Sequence, residues 1–171
     1  AISAVRQLNN FGFTPKKPVI MSWSSGFEEL IQLDPAAREN LIVGSNYYYT
    51  IDNPENKKFV EAYKKKFKGV PPGYAGAAGY GLMKMTLLGM QKSGSTEPQK
   101  VITALEEHKG KNFVGDFEIR GRNHQTVRPF FVLQTKKKNE MKNQYDMAEV
   151  VDVSSTEQPK NINMCKDIGS F

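Results

Sequence analysis

The sequence predicts an α/β protein, because amphipathic stretches that read as helices alternate with short apolar runs that read as strands, and glycine or proline punctuates the joints. A further observation limits the class. The chain opens on a helix with no strand before it, and its strands are too few for two complete sheets. A parallel α/β sheet ordinarily runs strand then helix, since a helix without a sheet beneath it leaves its apolar stripe in water. The expectation is the carboxyl-terminal portion of a longer protein.

The elements follow in order. "ISAVRQLNNFG" places Ile2, Val5 and Leu8 on one helical face, with Gly12 as the stop. "PVIMSW", Pro18 to Trp23, is an apolar run fit for a buried parallel strand, and "SSG" then leads into a helix "FEELIQL" that Asp34-Pro35 breaks. "NLIVGSNYYY" reads as a second strand and its exit. In "DNPENKKFVEAYKKKF", Asn53 is the N-cap, Pro54 the first helical residue, and Phe59, Val60, Tyr63 and Phe67 the core face. Gly69 ends that helix, and "VPPG" imposes an extended link.

The next helix, "VPPGYAGAAGYGLMKMTLLGMQKSG", starts on glycines, each costing about 1 kcal/mol against alanine in a helix interior. Gly73, Gly76 and Gly79 recur every third residue and so stay roughly on one side, which implies that a backbone, helix or bound molecule presses there. They match neither a dinucleotide fingerprint nor a P-loop. "GSTEPQKVITALEEHKG" supplies another helix, with Pro98 just inside it. "FVGDFEIRG", "RPFFVLQT" and "YDMAEVVDVSS" read as strands, and "TEQPKNINMCKDIGSF" as surface chain.

Composition narrows the chemistry. In 171 residues, a 39% hydrophobic share supports a core, and no run approaches the roughly 18 apolar residues needed to span a bilayer. "AISAVRQLNN" lacks the blocks of a signal peptide, so an export signal would lie upstream. The single cysteine, Cys165, with only His108 and His124 beside it in the composition, argues against a metal cluster, and no cofactor is expected. Cys165 reads as a buried thiol or as the partner of a cysteine outside the chain. The net charge of +6 is not gathered on one surface. Lys64, Lys65, Lys66 and Lys68 end a helix, where its dipole favours cations, and Lys136, Lys137, Lys138 and Lys142 lie in a polar connection, so nucleic acid is not the expected partner.

Three stretches are candidates for ligand contact. "SWSSG" follows a predicted strand at the edge where open α/β sheets bind ligands, with Trp23 offering an apolar face and Ser24 and Ser25 small hydroxyls. An ordinary serine cap over a core tryptophan explains it equally well. "NYYYT" follows the next strand; consecutive tyrosines cannot all face inward, so Tyr48 and Tyr49 are candidates for a cleft, or for a hinge that touches no ligand. Tyr74 opens the glycine-rich helix, whereas tight packing suffices to explain Gly76 and Gly79. Catalysis is not expected: His108 lies near a helix end among charges, His124 sits in the turn "RGRNHQ", and Asp116 and Glu118 alternate along a solvent face.

Taken together, "NPENKKFVEAYKKKFKGVPPGYAGAAGYGLMKM", "KSGSTEPQKVITALEE" and "FVGDFEIRGRNHQTVRPFFVLQ" resemble the periplasmic solute-binding proteins of the branched-chain amino acid transporter family, with the type I binding-protein fold. Their order and spacing from Ala1 to about Gln134 carry the resemblance. It implies two lobes built on Rossmann-like parallel sheets and joined by crossings, with only the carboxyl-terminal part of both lobes present. Residues 1–48 would finish the second lobe, 49–127 return to the first, and 128–171 cross back.

The resemblance further implies capture of a small solute in an interlobe cleft and delivery to a membrane permease of an ABC importer. The solute would be a branched-chain amino acid, a related amide, or an aromatic or apolar carboxylate. The address would be periplasmic or extracytoplasmic, with or without a lipid anchor, and the missing amino-terminal part of the protein would be an obligatory partner. Tyr74 matches the family's aromatic beside the ligand. "SWSSG" matches the loop where amino-acid binders place a carboxylate against the ligand's ammonium, yet no acid occurs here until Glu28. A sensor or regulator of the same fold, and an α/β enzyme, are the alternative readings.

Overall fold

The computed structural model describes residues 1–22, 25–106, 108–121 and 123–157. Trp23, Ser24 and Cys165 therefore lie outside the described residues, as does the tail from residue 158. The elements run α1 (Ile2–Asn10), β1 (Val19–Met21), α2 (Phe27–Leu30), β2 (Leu41–Ser45), α3 (Pro54–Lys66), α4 (Tyr74–Ser93) and α5 (Pro98–Leu105). Strands β3 (Lys109–Asn112), β4 (Gly115–Ile119), β5 (Thr126–Val127), β6 (Pro129–Thr135) and β7 (Ala148–Ser155) follow. None of the described helices is long and apolar enough to cross a membrane.

The chain forms two compact units: Ala1–Ala77 with Phe130–Ser154, and Ala78–Pro129 with residues 155–157. The first contains a four-stranded sheet in the order β1-β2-β6-β7, in which β1 and β2 are parallel and β6 runs antiparallel to β2. Parallel neighbours need a crossover of a dozen residues or more, and the chain between Met21 and Leu41 supplies it with α2. That helix is shorter than "FEELIQL" suggested, because Gln32 and Leu33 already turn on hydrogen bonds to carbonyls three residues back.

Alternation along β2 turns Leu41, Val43 and Ser45 inward, and along β6 Phe131, Leu133 and Thr135. Leu30, Leu41, Val43, Leu133 and Met147 are completely buried around this face. The Thr135 hydroxyl donates to the Arg38 carbonyl at 2.5 Å and accepts from the Leu41 amide at 3.0 Å, so a strand end and a crossover end share one buried hydroxyl. Lys136 meets Asp146 at 2.7 Å and ties down the lysine-rich connection between β6 and β7. Helix α3 starts as its sequence requires: the Asn53 side chain accepts from the amides of Glu55 and Asn56, and Pro54 is the first helical residue.

In the second unit the later turns of α4 carry α5 on one side and the β3-β4-β5 sheet. "FVGDFEIRG" is not a single strand. The Asn112 side chain accepts from the Val114 amide at 2.9 Å, Gly115 takes φ +129°, and the two features fold Phe113 and Val114 into a hairpin turn. The preceding "KGKN" has no apolar alternation, so nothing in it signals a strand; its pairing is supported across the ladder by Lys109–Glu118 and Lys111–Asp116 contacts at 3.4 and 3.6 Å.

Gly89 lets α5 approach α4, since a Cβ there would stand 2.7 Å from Val101 Cγ1 and 3.0 Å from Leu105 Cδ1. Replacing Gly89 by Leu gains helix propensity of about 1 kcal/mol. Overpacking of about 1–3 kcal/mol opposes that gain. We expect the urea midpoint of Gly89→Leu to fall; an unchanged or raised midpoint would show that α5 does not pack there.

Candidate functional site

Within the first unit, the carboxyl ends of β1 and β2 meet the start of α4. Gly26 stands where the crossover turns into α2, and a Cβ on it would lie 3.1 Å from Ser45 Oγ and 3.9 Å from the Tyr74 ring. The absent side chain brings Gly26 against the second strand's exit and against the aromatic that opens α4. Ser25 is buried and Tyr74 half-buried at this junction. The Gly26 amide donates to the Glu29 carboxylate at 2.8 Å, which satisfies an otherwise orphaned donor at the start of α2.

Glu28 explains the first glycine of α4. Its carboxylate accepts from the amides of Tyr74 and Ala75, both at 3.1 Å, through its two separate oxygens. A Cβ on Gly73 would overlap this carboxylate. The Gly73 carbonyl accepts the first helical bond, from Ala77 at 3.0 Å, so Gly73 is the cap residue, where glycine costs only a few tenths of a kcal/mol relative to the best caps. The carboxylate supplies what a capping side chain would have supplied, with favourable charge at the positive end of the helix dipole. Gly76 faces the Tyr63 ring, 3.1 Å from where its Cβ would be. Two successive glycines are thus accounted for by close approach.

Tyr48 is completely buried, and its hydroxyl lies by the Ala148 backbone without completing a hydrogen bond. Tyr49 is partly exposed; its hydroxyl donates to the Tyr145 carbonyl at 2.8 Å, and its ring meets Phe27 edge-on at 5.9 Å. Tyr47 donates to Asn56 Oδ1 at 2.8 Å, and Asn56 in turn donates to the carbonyls of Tyr49 and Ile51. Burial raises the pKa of Tyr47 and Tyr48, and pushes Tyr49 up to about 12 with help from the Asp146 charge, so all three stay neutral hydroxyls near neutral pH. Of the six sequence candidates, Tyr74 opens α4 and Ser25 is buried next to Gly26, which faces the Tyr74 ring; Tyr48 and Tyr49 belong to an aromatic cluster, and Trp23 and Ser24 fall outside the described residues.

The histidines have partners of their own. His108 Nδ1 lies 2.5 Å from Lys92 Nζ, and its pKa is lowered first by burial and then by that ammonium, which favours a neutral ring accepting from lysine. His124 Nε2 contacts Glu106 Oε1 at 2.9 Å.

A family profile described as "Periplasmic binding protein" matches residues 1–140. The chain belongs to the periplasmic binding proteins. Among solved structures, an amino acid ABC transporter substrate-binding protein from Pseudomonas fluorescens is 28% identical, with a TM-score of 0.86, over 93% of this chain and 42% of that one. A leucine binding protein from Thermotoga maritima (23% identity, TM-score 0.67, 89% and 41% coverage) shares the fold. So does a solute binding protein of an ABC transporter from Rhodopseudomonas palustris in complex with 3,4-dihydroxybenzoic acid (18% identity, TM-score 0.73, 93% and 43% coverage). A comparison with curated proteins returns no match. This periplasmic binding protein chain spans about two fifths of the length of those structures.

The contact that organises the α4 start was not legible in the sequence, because Glu28 and Tyr74 are 46 residues apart. Only the glycine at 73 signalled that something presses there. Charge-assisted hydrogen bonds contribute about 1.5–3 kcal/mol, so Glu28→Ala should lower the unfolding free energy by about 1–2 kcal/mol after water takes up the freed amides. Gly73→Ala should match or exceed that loss, since it evicts the carboxylate. Urea titrations showing both substitutions neutral would contradict this account of the helix start.

Proposed function

We propose that this chain is part of the solute-binding component of an ABC importer, capturing a small organic solute between two lobes and presenting it to a membrane permease. The family match over residues 1–140, together with the likeness to the Pseudomonas substrate-binding protein, carries the reading. The family supports an extracytoplasmic address. In the complete protein, the unit of Ala1–Ala77 with Phe130–Ser154 would belong to one lobe and that of Ala78–Pro129 to the other, and further polypeptide would supply the rest of both. The work is capture rather than chemistry.

We place the solute at the junction of the "SWSSG" loop and the α4 start, bordered by Tyr74, Ser25 and, on sequence grounds, Trp23 and Ser24. Tyr48 and Tyr49 then act behind the site, holding the second strand's exit. Both acids of α2's first turn are engaged, Glu28 with the α4 amides and Glu29 with the Gly26 amide. A solute ammonium buried there would have to compete for Glu28, and an unpaired buried charge is costly. This supports an apolar or aromatic carboxylate, or an amide, over an α-amino acid.

Tyr74→Ala and Trp23→Ala in the complete protein should each weaken solute binding by about tenfold, the scale of one lost aromatic contact, with little change in melting temperature. Calorimetry with 3,4-dihydroxybenzoate and with L-leucine checks this. Undiminished affinity in both variants would remove the site assignment, and tighter binding of L-leucine than of the aromatic acid would overturn the preferred solute class.

A further inference from the structure

Arg38 stands at the end of the crossover into β2 and is only 6% exposed, yet no carboxylate among the described residues lies within ion-pair distance of it. A guanidinium carries five N–H donors and is almost never fully buried unless paired. Here Nη1 donates to the Leu30 carbonyl at 3.2 Å and to the thioether sulfur of Met147, while Nη2 faces the sulfur of Met141 at 4.0 Å. Thioether sulfur is a weak acceptor, so two of these three contacts return little for the burial of a charge. Burial accordingly lowers the arginine's pKa, against the raising influence of Tyr48 and Asp34.

The two methionines differ in access. Met147 is completely buried, whereas Met141 is half-buried in the connection between β6 and β7. Hydrogen bonds hold that connection on both sides of Met141: the Lys137 amide donates to Glu140 at 2.8 Å, and the Lys142 amide to Asp146 at 3.0 Å. Oxidation turns a methionine thioether into a polar sulfoxide, which disrupts an apolar setting. Beside a buried cation the sign reverses. An oxygen set on Met141 Sδ towards Nη2 fills the 4.0 Å gap and comes within ordinary hydrogen-bond range of a charged donor.

We propose that Met141 is a reversible oxidation site whose sulfoxide is captured by the Arg38 guanidinium. The oxidant is a hydroperoxide: a sulfur lone pair attacks the distal peroxide oxygen, the S–O bond forms as the O–O bond breaks, and the proton of the transferred oxygen leaves with the other oxygen as water or alcohol. Sulfur gives up two electrons and the peroxide takes them. Two thiols of a reductase reverse the step, releasing water and a disulfide. Arg38 precedes β2, whereas the candidate solute edge lies at the other end of that strand, so the modification acts on the stability of the sheet and leaves the solute site alone. It is independent of the transport reading.

The test treats the complete protein and its Met141→Leu variant in parallel with hydrogen peroxide under native conditions, and locates the added oxygen by peptide mass spectrometry. Met141 should gain one oxygen at least about tenfold faster than the buried Met147. Treatment should leave the wild type melting about 2 °C higher, relative to its untreated form, than treatment leaves Met141→Leu, since other oxidised methionines affect both proteins alike. Met141→Gln, whose amide oxygen takes the place of the sulfoxide, should show a similar gain without peroxide. A Met141 as slow to oxidise as Met147 overturns the proposal, as does a treated wild type that gains no more than Met141→Leu. A Met141→Gln protein that melts below the untreated wild type overturns capture by Arg38.

Discussion

The placement of Tyr74 depends on one carboxylate. Glu28 reaches from the crossover between two parallel strands to the first free amides of the long helix, and it fits because residue 73 has no side chain. A helix start leaves four N–H groups without intrahelical partners, and a buried start must find acceptors for them. Here the acceptor comes from the very turn that forms the candidate ligand edge. One interaction therefore fixes the helix start, the loop and the aromatic between them, in a geometry that neither element would hold alone.

That arrangement changes the meaning of the acid at position 28. In the sequence it stood as the nearest carboxylate to a loop where related amino-acid binders place one. In the structure it is already committed to two amides, and Glu29 to a third. A solute that needs a counter-charge would have to take Glu28 from the helix, whereas a solute with a neutral or anionic polar end would not. On the proposed placement of the solute, the choice of solute class is a competition between a helix terminus and a ligand for one side chain.

Much of the fold was legible where the signals are local. Asn53-Pro54 announced the start of α3, Gly12 the end of α1, and the apolar run in "RPFFVLQT" the strand β6. The match over residues 1–140 agrees with the family resemblance carried by the order of short motifs. Strand β3 was hidden because a polar edge ladder supported by exposed ion pairs has no hydrophobic period to read. The hairpin turn was hidden for a related reason: "FV" reads as strand until Asn112 and Gly115 on either side are weighed as turn residues. At the site, glycine spacing told that something presses on α4 but not what, since Glu28 is distant in sequence. In the tyrosine run, Tyr48 buries its ring among neighbours without a hydrogen bond to its hydroxyl, while Tyr49 is held by the Tyr145 carbonyl, a distinction that the sequence pattern does not carry.

The most direct measurement is residue-resolved amide hydrogen exchange at Tyr74 and Ala75 in the wild-type protein and in Glu28→Gln. Amides at a helix start are unprotected unless a side chain accepts from them. The account predicts slow exchange at both positions in the wild type and acceleration of at least about tenfold in the variant, with the middle of α4 unchanged. Equal exchange in the two proteins would contradict the claim that this carboxylate builds the site.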